Sequence, residues 1–570
     1  MLLTKIIAGL VMLSVLVVIH EFGHFIVARL FKIGVPVFSV GMGPRIAGFE
    51  YNGTDYRLSA LPIGGYVMMS GADPFGEADP DTYVDPDEDF MRKPVWQRLL
   101  VMFAGPGANL LLPIFLLTAV LFVGEDRSAA VVGMVHPDTP AAEAGVRPDD
   151  RLVAVDGEPV ELWSDVMRRI QDRPGAPITL TVDRAGEPLE VALPPDAFEV
   201  TRDGFADLSV TGLSWMQKSS QVGVDDPTSP AGRAGIRTGD GIVAVGDREV
   251  RTWRGLEAAL AEGDSHTVTL RRAAEEAGEV ETLRVPLERD PTWSPPHPED
   301  PWADNEFGLV PVMLFVGSYG EDSAAADAGV ELDDRILLID GSPVRDWNEL
   351  IQRVSATQTV EDIPTTAGGC MRGPPEPPAA RAMTLTVVRE GEVHELELVP
   401  RMTRELVRTQ VAYRPLIGVM QYPNAFVDGE LVFKRYGLLE AVPEAARESV
   451  AVLGATFDVL GQFLTRERQM RETIGGPIAI FDMAGTSAEM GLGAFARLMA
   501  AISIGLAVIN LLPVPVLDGG QILFYSIEGI RGRPLSVAIR EKIQMIGVLF
   551  LVGLILIVSV HDISRVISGG

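Results

Sequence analysis

Residues Val18-Ile19-His20-Glu21-Phe22-Gly23-His24 set a His-Glu-x-x-His pentad inside an apolar segment. No charged side chain interrupts Ile6 to Ile19, and the apolar character resumes at Phe25-Ile26-Val27-Ala28. A run of this kind reads as a membrane-spanning helix, since about 20 apolar residues cross a bilayer's hydrocarbon core. On that helix His20 and His24 stand about 40° apart around the axis, one turn removed. Two imidazoles so placed can grip one metal ion, and Glu21 beside them can take a proton from a water. Ionisable groups inside a span are costly, so their presence points to function. The plainer alternative is an interfacial helix end with these groups facing lipid headgroups.

Composition narrows the field. A formal net charge of −30 leaves no basic footprint for nucleic acid. A single cysteine, Cys370, excludes an intramolecular disulfide framework and any cysteine-rich metal site. Positive mean hydropathy in a chain with 22% charged residues implies membrane and aqueous parts together. Lys5 followed by an apolar run resembles a signal peptide, but no small-residue cleavage site ends the run and cleavage would discard the pentad. It reads as a retained span, about Ile6 to Phe31.

Beyond it, Gly and Pro punctuate short β-like runs from Val40-Gly41-Met42-Gly43-Pro44 to Leu61-Pro62-Ile63-Gly64-Gly65-Tyr66-Val67. These predict hairpins, either an ordinary loop or a sheet edge able to pair with an extended substrate. Asp73 to Asp89 is acidic and proline-containing, as a solvated loop would be. A second span is expected at about Leu99 to Val123. Its Gly105-Pro106-Gly107-Ala108-Asn109 either packs helices closely or serves the pentad.

The middle of the chain repeats itself. Ala144-Gly145-Val146, Ala234-Gly235-Ile236 and Ala328-Gly329-Val330 each precede a polar turn and a β-branched run, and Trp163, Trp253 and Trp347 then open short amphipathic helices. A hairpin-like pair closes each copy, at Ile178 to Leu193, Thr267 to Leu287 and Met383 to Val399. The pattern resembles bacterial PDZ domains. These bind peptide segments or C-termini by strand addition, with backbone amides capturing a carboxylate; a rigid spacer is the alternative. Thr211-Gly212-Leu213-Ser214 and Phe307-Gly308-Leu309-Val310 look like the amide-presenting loops of the second and third copies, with Gly212, Leu213, Gly308 and Leu309 as groove candidates. The first copy's loop is not evident. The third copy carries an insertion, Thr357 to Arg381, which holds Cys370 and has the composition of a flexible loop.

Tyr436 to Arg466 reads as an amphipathic helix, lying in the membrane surface or packed on a repeat. A third span, about Leu498 to Leu517, ends in Asn510-Leu511-Leu512-Pro513-Val514-Pro515-Val516-Leu517-Asp518-Gly519-Gly520. Its prolines break the helix near a polar group. Zinc hydrolases keep three protein ligands and an open position, and the pentad supplies two. Asp518 is the best carboxylate in another span and becomes the third candidate ligand. A fourth span is expected at about Ile543 to Val560. Arg29, Lys32, Arg92, Lys93, Arg98, Arg531, Arg533, Arg540 and Lys542 flank two loops, which places those loops in the cytoplasm and both termini and the repeats outside it.

Together these features resemble the site-2 protease family of intramembrane zinc metalloproteases (peptidase family M50), in its bacterial RseP type. The matching motifs are His20 to His24, Gly105 to Asn109, and Asn510 to Gly520, with PDZ-like units between spans two and three. The resemblance implies one zinc ion on His20, His24 and Asp518, with Glu21 activating water. It implies that Asn510, Pro513 and Pro515 help hold an unwound substrate helix, and that Gly41 to Tyr66 is a membrane-associated β region pairing with substrate. Gly64, Gly65, Tyr66 and Asn109 are accordingly candidate substrate contacts. The chain departs from that type in carrying three PDZ-like units rather than two.

The expected fold is a multi-pass α-helical membrane protein of about four spans. A membrane-associated β region follows span one, and three α+β PDZ domains are inserted between spans two and three. The expected boundaries are 1–125 and 491–570 for the membrane domain, 126–196, 207–290 and 305–402 for the repeats, and 403–490 for a linker. The expected activity is a zinc endopeptidase making the second cut of regulated intramembrane proteolysis in pre-trimmed single-span proteins, of anti-sigma-factor type or remnant signal peptides. The expected place is the bacterial cytoplasmic membrane, with repeats on the periplasmic side and the site near the cytoplasmic side. A catalytically inactive PDZ scaffold and a membrane metallohydrolase of a non-peptide bond are the other classes. An intact Glu21 argues against the first and three PDZ-like units against the second.

Overall fold

The computed structural model describes residues 2–71, 85–136, 139–171, 176–194, 199–200, 206–207, 211–273, 280–295, 297, 306–320, 322–357, 379–407, 410–464, 476–533, 536, 539–540, 542–549, 552–553 and 556. Cys370, most of the 357–381 insertion, most of the acidic 73–89 loop, the end of the expected fourth span and His561 lie outside them. The chain divides into two compact units, Met1–Glu125 with Lys434–Gly570, and Asp126–Phe433.

In the first unit, α1 (Leu2–Leu30) carries the pentad. Two strands follow, β1 (Val37–Tyr51) and β2 (Thr54–Met68), and then α2 (Val95–Val123). After the second unit come α3 (Leu438–Leu464), α4 (Pro477–Glu489), α5 (Leu492–Leu511) and α6 (Asp518–Arg531). Among the described residues, α1, α2 and α5 are long and apolar enough to cross a membrane. Only about a third of each is buried within the protein, and apolar side chains such as Ile7, Leu111 and Phe115 face outward. A lipid solvent explains that pattern. Because lipid is as apolar as leucine, span contacts rest on close packing of small residues. Ala8 of α1 and Ala484 of α4 meet around Met12 and Leu16, while Ala441 and Ala445 of α3 meet Leu117 and Leu121 of α2 and Ala500 of α5.

Two expectations change here. The third span ends at Leu511, not Leu517, and Asp518 opens a separate helix. Leu512 is extended, as the residue before a proline prefers, and Pro513 and Pro515 have no amide to continue the ladder. The stretch expected as a linker with one amphipathic helix holds, among its described residues, two helices, α3 and α4. The first packs on α2 and α5 through its alanines and leaves Leu439, Val450 and Phe457 outward.

The β region is one bent ribbon. Phe38 pairs with Tyr56 on one side and Val67 on the other, while Tyr56 also pairs with Phe49. Four strips therefore lie in the order 47–50, 55–58, 37–40, 65–68, and the last is an outer strip. β1 follows α1 closely, and this holds that outer strip against the pentad helix.

The second unit holds three copies of one design. Each has a four-stranded antiparallel sheet in which the first strand of a closing hairpin lies beside the β-branched run: Arg151–Val155 with Ile178–Arg184, Gly241–Val245 with Ser265–Ala273, and Arg335–Ile339 with Met383–Arg389. Each also has its own apolar core. The copies share a buried lock. Asp150, Asp240 and Asp334 are paired by Arg184, Arg272 and Arg389, and the same guanidinium donates to the carbonyl of Gly145, Gly235 or Gly329.

The amide loops attach one copy earlier than expected. Leu213-Ser214 pairs with Met134-Val135 of the first copy, and Val310-Pro311 with Val222-Gly223 of the second. Ile417-Gly418 supplies the third, where Val419–Gln421 pairs with Val316–Tyr319. Each copy is thus closed by a strand that follows its own hairpin, and its boundary extends past the expected end.

The copies meet through ionic side chains. Arg335 and Asp225 form a pair almost wholly out of water between the second and third. Asp346 of the third accepts from His136 of the first at 2.8 Å. Burial pushes the Asp346 carboxyl up, but His136, the Glu349 amide and Lys218 together hold it below its ordinary value.

Candidate metal centre

His20 and His24 project from one face of α1, and both are buried. Asp518 joins them from the first residue of α6. Its aim depends on the two glycines after it. A side chain on Gly519 would strike the carbonyls of Leu511 and Leu512, and one on Gly520 the carbonyl of Val514. Only hydrogen there lets the chain turn back tightly enough, after two prolines, to start a helix with its carboxylate against α1. Further along α6, Glu528 takes a bidentate bond from the buried Arg98 of α2, at 2.6 and 3.1 Å, and Tyr525 lies beneath the same guanidinium. This pins the helix that carries Asp518.

The donor atoms form a small triangle. Nε2 of His20 is 3.2 Å from Nε2 of His24, and Oδ2 of Asp518 lies 3.0 Å and 3.5 Å from the two nitrogens. Ligand atoms about 2.0–2.1 Å from a tetrahedral zinc ion sit about 3.3 Å from one another, so the residues present fit that ion. Among the described residues it is the one group of three His, Cys, Asp or Glu side chains that converges in this way. A second observation supports the fit. A side chain at Gly105 of α2 would lie directly on the Nε2 atoms of both histidines, so the glycine keeps the cradle open.

The surrounding contacts orient these groups. Nδ1 of His24 donates to the carbonyl of Val101 at 2.7 Å, which leaves Nε2 bare toward the triangle. Nδ1 of His20 faces the carboxamide of Asn109 at 3.3 Å. Glu21 accepts a hydrogen bond from the backbone amide of Val67 at 3.1 Å, so the outer strip of the β region touches the carboxylate beside the two histidines. Chemically this is a three-donor cradle with the spacing of a metal site, a half-buried carboxylate one residue along, and the outer strip of the ribbon alongside.

Several residues singled out in the sequence gather here. Gly65 lies against the side chain of Glu21, Gly64 has a φ of +78°, and Tyr66 pairs with Ser39 in the same ribbon. Asn510 is the last residue but one of α5, and Pro513 and Pro515 shape the turn that delivers Asp518. Asn109 is fully buried against His20 rather than exposed toward a substrate path. Gly212, Leu213, Gly308 and Leu309 belong to the second unit. Sequence reasoning missed Gly105 as the cradle floor, the Val67 amide, the Val101 carbonyl and the Arg98–Glu528 pin. A charged pair in mostly apolar helices was the available signal for the pin, and a glycine within an apolar span for the floor.

Apolar spans enclosing a His-Glu-x-x-His helix with a distant carboxylate define a membrane metalloprotease. The model of peptidase family M50 matches residues 8–554, and the chain belongs to that family of site-2 proteases. It is 27% identical over 557 residues to the regulator of sigma-E protease RseP of Escherichia coli (strain K12), covering 98% of this chain and 97% of that one. It is 26% identical over 559 residues to the regulator of sigma E protease of Salmonella typhi, covering 98% of each. A Xylella fastidiosa (strain Temecula1) protein classed by name among the zinc metalloproteases is 28% identical over 561 residues, covering 97% of each. Zinc is the cofactor of this chain, and it is a transmembrane hydrolase.

Proposed function

We propose that the chain is an intramembrane endopeptidase making the second cut of regulated intramembrane proteolysis. Its substrates are single-span membrane proteins whose outer domains are already trimmed, with anti-sigma-factor-like regulators foremost and leftover signal peptides as a compatible second class. The observation that carries this reading is the triangle of His20, His24 and Asp518 beside Glu21, set on a helix with the composition of a membrane span.

His20, His24 and Asp518 hold the zinc. Zinc bound there supplies Lewis acidity, polarising a scissile carbonyl and lowering the pKa of a nucleophilic water. Glu21 takes the proton as the water oxygen bonds to the carbonyl carbon, then gives it to the departing amide nitrogen as the C–N bond breaks. A substrate helix satisfies its own amides, so it has to be opened before attack. Strand pairing along residues 65–68 exchanges those internal bonds for intermolecular ones, next to Glu21. Asn510, Pro513 and Pro515 hold the opened segment from the other side, with Gly64, Gly65 and Tyr66 on the strand side.

The chain crosses the bacterial cytoplasmic membrane four times, the fourth span being 543–560, and the basic flanks keep the connecting loops inside. The three copies in residues 126–433 are PDZ domains on the outer face. Their Gly212-Leu213, Gly308-Leu309 and Gly418-Val419 loops receive peptide segments or C-termini, so that the domains filter substrates by size or sense a fresh end.

The test is cleavage of a tagged single-span reporter with a trimmed outer domain, in membranes carrying the wild type, Glu21→Gln, or the wild type with a zinc chelator. Glu21→Gln is expected to keep zinc and lose about 10²- to 10⁴-fold in rate, as removal of a general base does. Chelation is expected to abolish the cut. A cut that persists in both altered conditions assigns the activity to another protein and sinks this reading.

A further inference from the structure

Each histidine of the cradle has a second ring nitrogen, and the two are served differently. A nitrogen that lends its lone pair to a metal cannot carry the proton, so a neutral imidazole ligating through Nε2 carries it on Nδ1. His24 is fixed in that form, because the carbonyl of Val101 can only accept. His20 has instead a carboxamide at Nδ1, which can donate or accept. Asn109 is fully buried, its Nδ2 lies 3.3 Å from Nδ1, and its Oδ1 is buried without a hydrogen-bond partner.

With Nδ2 toward the ring, Asn109 donates and the His20 proton sits on Nε2, pointing at Asp518 3.0 Å away. A half-turn of the carboxamide exchanges oxygen and nitrogen at almost no steric cost, since the two are nearly equal in size. Oδ1 then accepts from Nδ1–H, and Nε2 is left bare toward the triangle. We infer that Asn109 is a positioning residue that sets the tautomer of His20, its oxygen holding the zinc-binding form. This rests on the assignment of His20, His24 and Asp518 as the zinc site, and it replaces the expected substrate contact at Asn109. The backbone of Asn109 is itself anchored, because its carbonyl accepts from Ser503 of α5 at 2.8 Å, which fixes α2 at that point.

Zinc affinity of the purified full chain, measured by chelator competition, tests the inference with three variants. Asn109→Leu keeps the volume and removes the acceptor, and is expected to weaken zinc about 10- to 100-fold, as loss of such an outer partner does. Asn109→Asp offers only acceptors to Nδ1–H and is expected to hold zinc within about tenfold of the wild type. Ser503→Ala loosens the same helix contact without touching the ring, and is expected to leave affinity unchanged. Melting of each zinc-free variant reports folding separately. Leucine binding as tightly as asparagine overturns the inference. So does equal loss in Asn109→Asp and Asn109→Leu, or in Ser503→Ala, because either outcome makes packing the cause. If Asn109→Leu does not fold, Asn109→Asp decides: zinc held within about tenfold of the wild type supports the inference, and a larger loss in a folded protein overturns it. A wild type that binds no zinc overturns the site assignment itself, an outcome distinct from equal binding by wild type and variant.

Discussion

At the residue scale the cradle is defined as much by what is missing as by what binds. Gly105 faces both Nε2 atoms, whereas the next glycine, Gly107, meets only the ring of Phe103 at 3.6 Å. Replacing glycine by alanine inside a helix ordinarily stabilises it by about 0.5–1 kcal/mol. Gly107→Ala is therefore expected to keep zinc and activity and to melt no lower than the wild type. Gly105→Ala puts a methyl group where the histidines converge, and is expected to weaken zinc and lower cleavage about 10²-fold, the cost of roughly an ångström of misplacement. Equal zinc affinity in the two variants, by chelator competition, would refute the role given to Gly105. The pentad was legible because helical spacing alone brings His20 and His24 together. Asp518 was legible only because a third ligand was wanted and few carboxylates lay in apolar surroundings. The Val67 amide was not legible at all, since it reaches Glu21 through the doubling back of a ribbon, which no local pattern encodes.

At the element scale the question is what holds α6 at the correct angle. Its first residue is Asp518, and ten residues on Glu528 meets Arg98, whose side chain is 4% exposed. Breaking a buried pair from one side leaves a charge without a partner and costs about 3–5 kcal/mol, whereas replacing both partners by apolar groups is often neutral. Glu528→Leu is expected to lower both the melting temperature and zinc affinity, and Arg98→Met with Glu528→Leu to recover the melting temperature. A Glu528→Leu protein that melts early yet binds zinc like the wild type would show that the pin does not place Asp518. Proline marked the end of α5, although apolar composition carried the expected span six residues too far. The repeats were legible from spacing, but not the ownership of their closing strands. A Gly-hydrophobe loop lies between one copy's hairpin and the next copy's Ala-Gly turn, so chain order permits either attachment. The register with Met134-Val135, Val222-Gly223 and Val316–Tyr319 decides it.

At the scale of the whole molecule, every group assigned to the metal cradle and its supports lies in Met1–Glu125 or Lys434–Gly570. The chain leaves that unit and returns to it at nearly one point. The amide of Tyr436 donates to the carbonyl of Leu121 at 3.0 Å, and Arg435 donates to the carbonyl of Phe122 at 2.9 Å. Arg497 of α5 binds Glu125 and Glu448 beside this exit, tying α3 and α5 to the end of α2. A few glycines and serines can therefore join Glu125 to Lys434 with residues 126–433 removed, and closing so short a loop costs little. The shortened chain is expected to bind zinc as tightly as the full one, because no ligand, cradle glycine or pin is lost. If the three copies act as a size filter, it is also expected to cut single-span reporters whose outer domains the full chain refuses. Zinc content and reporter cleavage, measured side by side in membranes, separate the two claims. Loss of zinc in a folded shortened chain would show that residues 126–433 build the site. Retained zinc with no reporter cut would instead make the copies recruiters of substrate rather than a barrier to it.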